Sequence, residues 1–404
     1  MTVRIEKVGA IYVRSFPTDA AIALNGEPAK NKTGIFQQGT LLNGLFPRRY
    51  ALELSSPGYK VWRQTVQVEP ALVTEIKYAV LIPDQPTELI PRDIREFWLA
   101  GRQLVALNSS ATLILAGGDI VPGSAVVGQA REGARILTTN AAGTYFWVDP
   151  ENATSTNLSV LLRSLPGRPT GRLAVAADPE NPGQAIVQGA NYLGLLDMNQ
   201  RSLLSIATSS AYRPEAAAAS RFWLAWSRYD SAKNESQLML FDKFLRTNRL
   251  VGELTPGRIT QLEWSVGNML GIARADGEFY LYVPGEPAYR HLASDVRDFE
   301  FGGDGRMLAL RGGNSLEVFD LEDKDEYWRF NLPQMDRVRQ IVWHKTGRNI
   351  FIVYPGETRL LSLDDAGLEN FAVVAETGQV AYAARENRLY FLKDSAISYL
   401  KFAD

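Results

Sequence analysis

Between residues 259 and 364 one pattern is written three times: ITQLEWSVGNMLGIARADGEFYLYV, VRDFEFGGDGRMLALRGGNSLEVFDL and VRQIVWHKTGRNIFIVYPGETRLLSLD. Each copy has an apolar strand ending in an aromatic residue (Trp264, Phe301, Trp343), a turn, a second apolar strand, another turn and a third strand. The aromatics are spaced by 37 and 42 residues. A period near forty, filled by three or four short strands, is the repeat of a β-propeller blade. Strands such as FYLYV, LEVF and NIFIVY are near-continuous apolar runs, as expected of sheets packed on both faces.

The pattern extends back through the chain. Third strands close on Asp149, Asp197, Asp242, Asp320 and Asp364. First strands are expected at 95–100, 125–131, 171–177, 221–227, 259–265, 297–302, 339–344 and 371–376, which makes eight blades. Seven is the rival count, because the first unit lacks a clear fourth strand. Trp226, Trp264 and Trp343 align with Phe301 at one repeat position and read as packing between blades. Trp147 and Trp328 are less constrained. The Gly303-Asp304-Gly305-Arg306 turn before LALR is similar to the turn of TolB-like and WD40-like propellers.

Residues 10–83 read differently. Val13, Phe16, Ile22 and Leu24 stand among polar residues at strand spacing, and Asn25-Gly26 supplies a turn. YALEL, SSPGY and VWRQTVQV give a strand, a turn and a strand, and TEIKYAVLI runs to Pro83. The expectation is a small antiparallel β-sandwich. Pro83, Pro86 and Pro91 mark 84–93 as a stiff linker, with the propeller over 94–404 and the two parts folding separately. Pro17-Thr18-Asp19-Ala20, the following Ile22-Ala23-Leu24-Asn25-Gly26, and Pro57-Gly58-Tyr59 before a strand resemble a PEGA domain over about 70 residues. That resemblance implies a non-catalytic accessory module of bacterial or archaeal envelope proteins, and a membrane anchor N-terminal to this chain.

Composition narrows the function. The chain of 404 residues is 46% hydrophobic and 22% charged, values of an ordered globular protein. A net charge of −2 gives no overall electrostatic footprint for nucleic acid. Without cysteine there is no disulfide, thiolate nucleophile or Cys-ligated zinc. No run reaches the eighteen apolar residues of a membrane-spanning helix, and MTVRIEKVGAIYV lacks the core of a signal peptide.

No catalytic motif, cofactor-binding motif or metal-ligand spacing is present. His291 and His344, the only histidines, fall in different blades. The acidic run Asp320 to Glu326 sits where a hairpin turn belongs and lacks the spacing of a calcium loop. The strongest binding signal is basic. Arg95, Arg297 and Arg339 each stand at the entry to a first strand, four residues before a large apolar side chain. Turns between second and third strands open at the same end of a blade and offer Asn140, Arg311, Asn314, Tyr354 and Arg385. Guanidinium groups there suit carboxylates or phosphates, which they hold by paired hydrogen bonds. Together with the envelope setting that the PEGA resemblance implies, this makes the expectation an extracytoplasmic, non-catalytic binding or scaffold protein of the cell envelope, its ligand a protein or an anionic wall polymer, with the cytoplasm as the alternative location. The alternative is a propeller enzyme, a glycan or peptide hydrolase or lyase, working through channel carboxylates.

Overall fold

The computed structural model describes residues 7–33, 38–90, 93–101, 103–130, 135–167, 169–208, 213–254, 257–323 and 326–404. It divides into two compact units, Met1–Arg92 with Arg337–Asp404, and Asp93–Asp336.

The second unit holds six four-stranded antiparallel sheets in chain order, within 94–121, 125–157, 174–208, 213–254, 259–293 and 296–330. Two more belong to the first unit, one within 340–375 and one made of three strands within 380–401 with Thr87–Ile90, which makes eight sheets of this repeat among the described residues. In the first seven of them consecutive strands pair as a meander, and the eighth takes its fourth strand from earlier in the chain. Burial on both faces explains the continuous apolar runs: all five residues of Leu270–Arg274 are buried. Packing between the fifth and sixth sheets brings the Phe279 and Phe299 rings to 4.8 Å in an edge-to-face contact. Gly271 is required there, because a Cβ on it would lie 2.5 Å from the Phe299 ring.

The aspartates that close third strands share one task. Asp149, Asp197, Asp242 and Asp320 each accept backbone N–H groups two or three residues ahead, at 2.8–3.2 Å, and so fasten the turn into the fourth strand. Asp320 also meets Arg306 at 2.6 Å, which makes the acidic run a charge-paired turn. Asp325 within that run lies outside the described residues.

Two first strands fall elsewhere than the repeat suggests. The fourth sheet opens with Arg213–Ala219, which makes 221–227 part of its second strand, Trp223–Asp230. RPEAAAA carries little intrinsic strand signal, and only pairing with its neighbour makes it one. Trp226 is accordingly a second-strand residue, buried but not in register with Trp264. Ala372–Ala375 is the fourth strand of the seventh sheet, and the eighth begins at Val380–Ala383. Trp147 is buried and Trp328 half-buried.

In the first unit, seven strands make two further sheets, one of Gly9–Phe16, Thr40–Leu45 and Val73–Val80, the other of Ala21–Leu24, Glu27–Ala29, Arg49–Ser55 and Trp62–Gln67. Ile11, Val13, Ile22, Leu52, Leu54 and Trp62 fill the space between them. One pairing departs from the antiparallel expectation: Gly9–Phe16 and Val73–Val80 run parallel.

The stretch expected as a linker has a structural role. Thr87–Ile90 pairs antiparallel with Ala396–Lys401 and is the fourth strand of the eighth sheet. The two-sheet module also shares a core with the last two sheets, where Phe16, Val80 and Ile82 pack with Phe351, Leu360, Phe391 and Phe402. Its edge strand is held by the 364–370 loop: Glu369 Oε2 accepts the Thr65 N–H at 2.8 Å and Asn370 Oδ1 the Arg63 N–H at 3.1 Å. A shared core and a shared sheet do not separate into independent folds.

A chain beginning at residue 93 should therefore melt at a lower temperature than the parent, and aggregate, because Ala396–Lys401 becomes an open edge and the Phe351 face is bared. Equal, cooperative melting of the two would contradict the shared core. Trp264 donates from Nε1 to the Ala218 carbonyl of the preceding sheet at 3.0 Å. Trp264→Ala should cost about 3–5 kcal/mol in denaturant unfolding, and Trp343→Ala a similar amount.

Candidate functional site

In a four-stranded meander the entry to the first strand and the turn from second to third lie at one end. The other two turns lie at the opposite end. A cleft of about 880 Å³ opens at the first of these ends between the second and third sheets. Its walls are built locally. Asn140 starts a tight turn, its Oδ1 accepting the N–H groups of Ala142 (3.1 Å) and Thr144 (3.0 Å), with Gly143 at φ 73°. A short helix, α1 (Leu158–Ser164), forms the opposite wall; Asn157 caps it by accepting the Val160 N–H at 2.9 Å. Ser159 Oγ accepts the Tyr145 N–H at 3.0 Å and so joins helix to strand. Leu158 and Leu162 anchor the helix in the core with Trp147, Val175 and Tyr192.

Polar character comes to this cleft from Asn140, Ser159, Thr170, Arg163 and Arg172, over a floor that includes Leu162, Leu173 and Val175. Arg163 occupies the last turn of α1, where a cation meets the negative end of the helix dipole. Both arginines are exposed. None of the described lining residues is acidic or a histidine.

Of the residues expected to bind, Asn140 lines this cleft. Arg95 and Arg297 are exposed on the first strands of the first and sixth sheets, and Arg339 is exposed just before the first strand of the seventh. The preceding aspartates explain the repeated Asp-x-Arg. Asp93 and Asp295 adopt φ of 70° and 61°, and their carboxylates reach the second-to-third turns, Asp93 to the Ser109 hydroxyl and Asp295 to the Gly313 N–H. Arg311 is half-buried and meets Asp298 at 3.3 Å. Asn314 is exposed in its turn. Tyr354 is buried, which pushes its hydroxyl up to about 12. Arg385 lies between the first and second strands of the eighth sheet, so it opens at the end of its sheet opposite to a second-to-third turn. Arg163, Arg172 and Ser159 escaped the sequence reading. For Ser159 and Arg163 the signal was helical, a capping Asn157 followed by leucines at 158, 161, 162 and 165, whereas Arg172 had none.

The histidines stay apart in function. His291 is exposed and meets Glu278 at 2.5 Å. His344 is buried against Phe351, Tyr382 and Phe402, and its Nδ1 accepts the Thr346 N–H. Among the described residues no three of His, Asp and Glu converge as metal ligands.

No protein-family model matches this chain, and no curated protein matches it. Among solved structures it is similar to one described as "Oligogalacturonate lyase in complex with manganese", at 10% identity and a TM-score of 0.50, over 78% of this chain and 97% of that one. Lower TM-scores of 0.45 and 0.44 relate it to PorZ, a surface component of the type-IX secretion system of Porphyromonas gingivalis, and to the Cps50 (Swd1) β-propeller domain of Myceliophteria thermophila. Their identities are 16% and 13%, over 75% and 70% of this chain and 42% and 98% of theirs. Eight four-stranded antiparallel sheets of one repeat, together with the first likeness, place the chain among all-β proteins with a β-propeller. At such identities the likeness is one of fold alone.

Burial drives the His344 pKa down from 6.5 to about 3, with the Asn387 side chain opposing and Lys345 adding to the shift. A base with a depressed folded pKa binds its proton more readily in the unfolded chain, so its contribution to stability falls between about pH 6.5 and pH 3. The parent should lose stability over that range relative to His344→Asn, which keeps an acceptor for the Thr346 N–H but cannot titrate. Urea unfolding of both proteins at pH 7 and pH 4.5 checks this; an unchanged difference would refute it.

Proposed function

We propose that this protein is a non-catalytic binding or scaffold protein of the cell envelope, whose propeller holds the anionic groups of a wall polymer or an acidic protein segment. The single observation that carries this reading is the character of the cleft between the second and third sheets. It presents Arg163 and Arg172 with Asn140, and its described lining includes no carboxylate or imidazole. Such a lining binds carboxylate or phosphate through charge-assisted hydrogen bonds and lacks a pair of carboxylates for acid–base cleavage. Arg95 and Arg297 stand at the same end of their own sheets as the Asn140 turn, which extends the basic character of that end. The likeness of residues 10–83 to a PEGA module supports the envelope setting.

Polygalacturonate, poly(glycerol phosphate) and polyglutamate are suitable probes, titrated against the full chain by calorimetry at low and physiological salt. Binding to at least one, weakened by salt, is the expected result. Each charge-assisted contact is worth roughly 1.5–3 kcal/mol, so Arg163→Ala combined with Arg172→Ala should weaken it by about tenfold or more. Undiminished binding by that double variant would displace the cleft from the proposal. Release of shortened or unsaturated sugars from polygalacturonate would replace the binding reading with the enzyme reading.

A further inference from the structure

The fourth sheet carries an unusual surface at the end opposite to second-to-third turns. Its first-to-second and third-to-fourth turns hold Phe222, Phe244 and Leu245 in water, 49%, 90% and 65% exposed. The next sheet adds Val266, half exposed, in its own first-to-second turn. Single exposed apolar residues are ordinary on a protein surface, whereas several on adjoining turns mark an interaction site.

These turns are held in place from beneath. Asp242 Oδ1 accepts the N–H groups of Phe244 and Leu245, both at 2.8 Å, and the Asp242 carbonyl accepts the Arg246 N–H at 2.8 Å. The Lys243 N–H bonds the Phe222 carbonyl at 3.0 Å, joining the two turns. Lys243 Nζ reaches the buried Asp178 of the third sheet at 2.5 Å and the Ser220 carbonyl at 2.6 Å. Asp242 and Lys243 are therefore engaged in holding the turns. The exposed charges left on the two turns are both positive, Arg221 and Arg246, and the Arg221 guanidinium lies 5.4 Å from the centre of the Phe222 ring.

We propose that this end of the fourth sheet docks on the surface of an anionic lipid bilayer, with Phe244 and Leu245 entering the acyl boundary and Arg221 and Arg246 meeting headgroup phosphates. A fixed, convex apolar tip with a cationic collar has the two attractions that interfacial attachment requires, apolar burial and charge complementarity. The inference is independent of the arginine cleft. That cleft opens at the first-strand entry, so a protein seated by its Phe244 end presents the cleft away from the membrane.

The test is sedimentation of the full chain with vesicles of phosphatidylcholine, and of phosphatidylcholine with about three parts in ten of phosphatidylglycerol. The parent is expected to sediment with the anionic vesicles and to be released by salt. Phe244→Ser with Leu245→Ser should lower the partition coefficient at least roughly tenfold, with melting unchanged because both side chains stand in water. Arg221→Gln with Arg246→Gln should remove the preference for anionic lipid, about fivefold for each arginine. The proposal fails if the parent binds neither vesicle, or if the Phe244→Ser, Leu245→Ser protein binds as the parent does. It also fails if the parent self-associates in sedimentation velocity and that variant does not, since the tip would then pack on a second copy.

Discussion

A four-stranded sheet whose second strand is buried at every residue, as Leu270–Arg274 and Asn349–Val353 are, has no face to give to water. Neighbouring sheets must cover it, and the closeness of that cover decides much of the chain. Gly271 is a glycine because the Phe299 ring of the next sheet occupies the place of its side chain. Trp264 reaches across to the Ala218 carbonyl for the same reason: a large indole between two sheets is stable only if its N–H finds an acceptor. The two-sheet module follows this logic as well. Phe16, Val80 and Ile82 complete the core of the last two sheets, and Thr87–Ile90 covers the edge of Ala396–Lys401.

With strand interiors committed to packing, chemistry is confined to the ends of the sheets. The two ends differ. At the first-to-second and third-to-fourth end, Asp149, Asp197, Asp242 and Asp320 spend their carboxylates on turn N–H groups, and in the fourth sheet the fastened turns display Phe244 and Leu245. The other end has first-strand entries set by Asp93 and Asp295 in left-handed conformation, with Arg95 and Arg297 exposed beside them. There the insertion of α1 between the second and third sheets opens the arginine cleft. A repeat of near-identical sheets thus acquires distinct surfaces through small departures in its turns, where insertions disturb no ladder.

Much of this is legible from residues. The forty-residue recurrence of aromatic, turn and apolar strand announces the sheets, and the aspartates mark the ends of third strands. Less legible are elements whose own signal is weak or mixed. Arg213–Ala219 is nearly all alanine beyond its proline and becomes a strand only by lying against Trp223–Asp230. Asn140 was visible as a turn residue between second and third strands. Its neighbours in the cleft were not, because α1 interrupts a β pattern and the 169–173 segment has no periodicity to read.

By itself the sequence determined the class of fold, the spacing of its sheets and the identity of its packing aromatics, since burial on two faces writes itself directly into hydrophobic pattern. It also excluded cysteine chemistry outright. Tertiary structure alone decided which strand completes the last sheet, and that Phe16 and Phe351 share one core. Tertiary structure likewise brought Arg163 and Arg172 to one cleft and left Phe244 in water above a buried Lys243–Asp178 pair. The physical reason is range. Periodicity records what a residue does relative to its own strand, whereas these contacts join separate segments, the shared core and last sheet across hundreds of residues, and no local pattern encodes which of them meet.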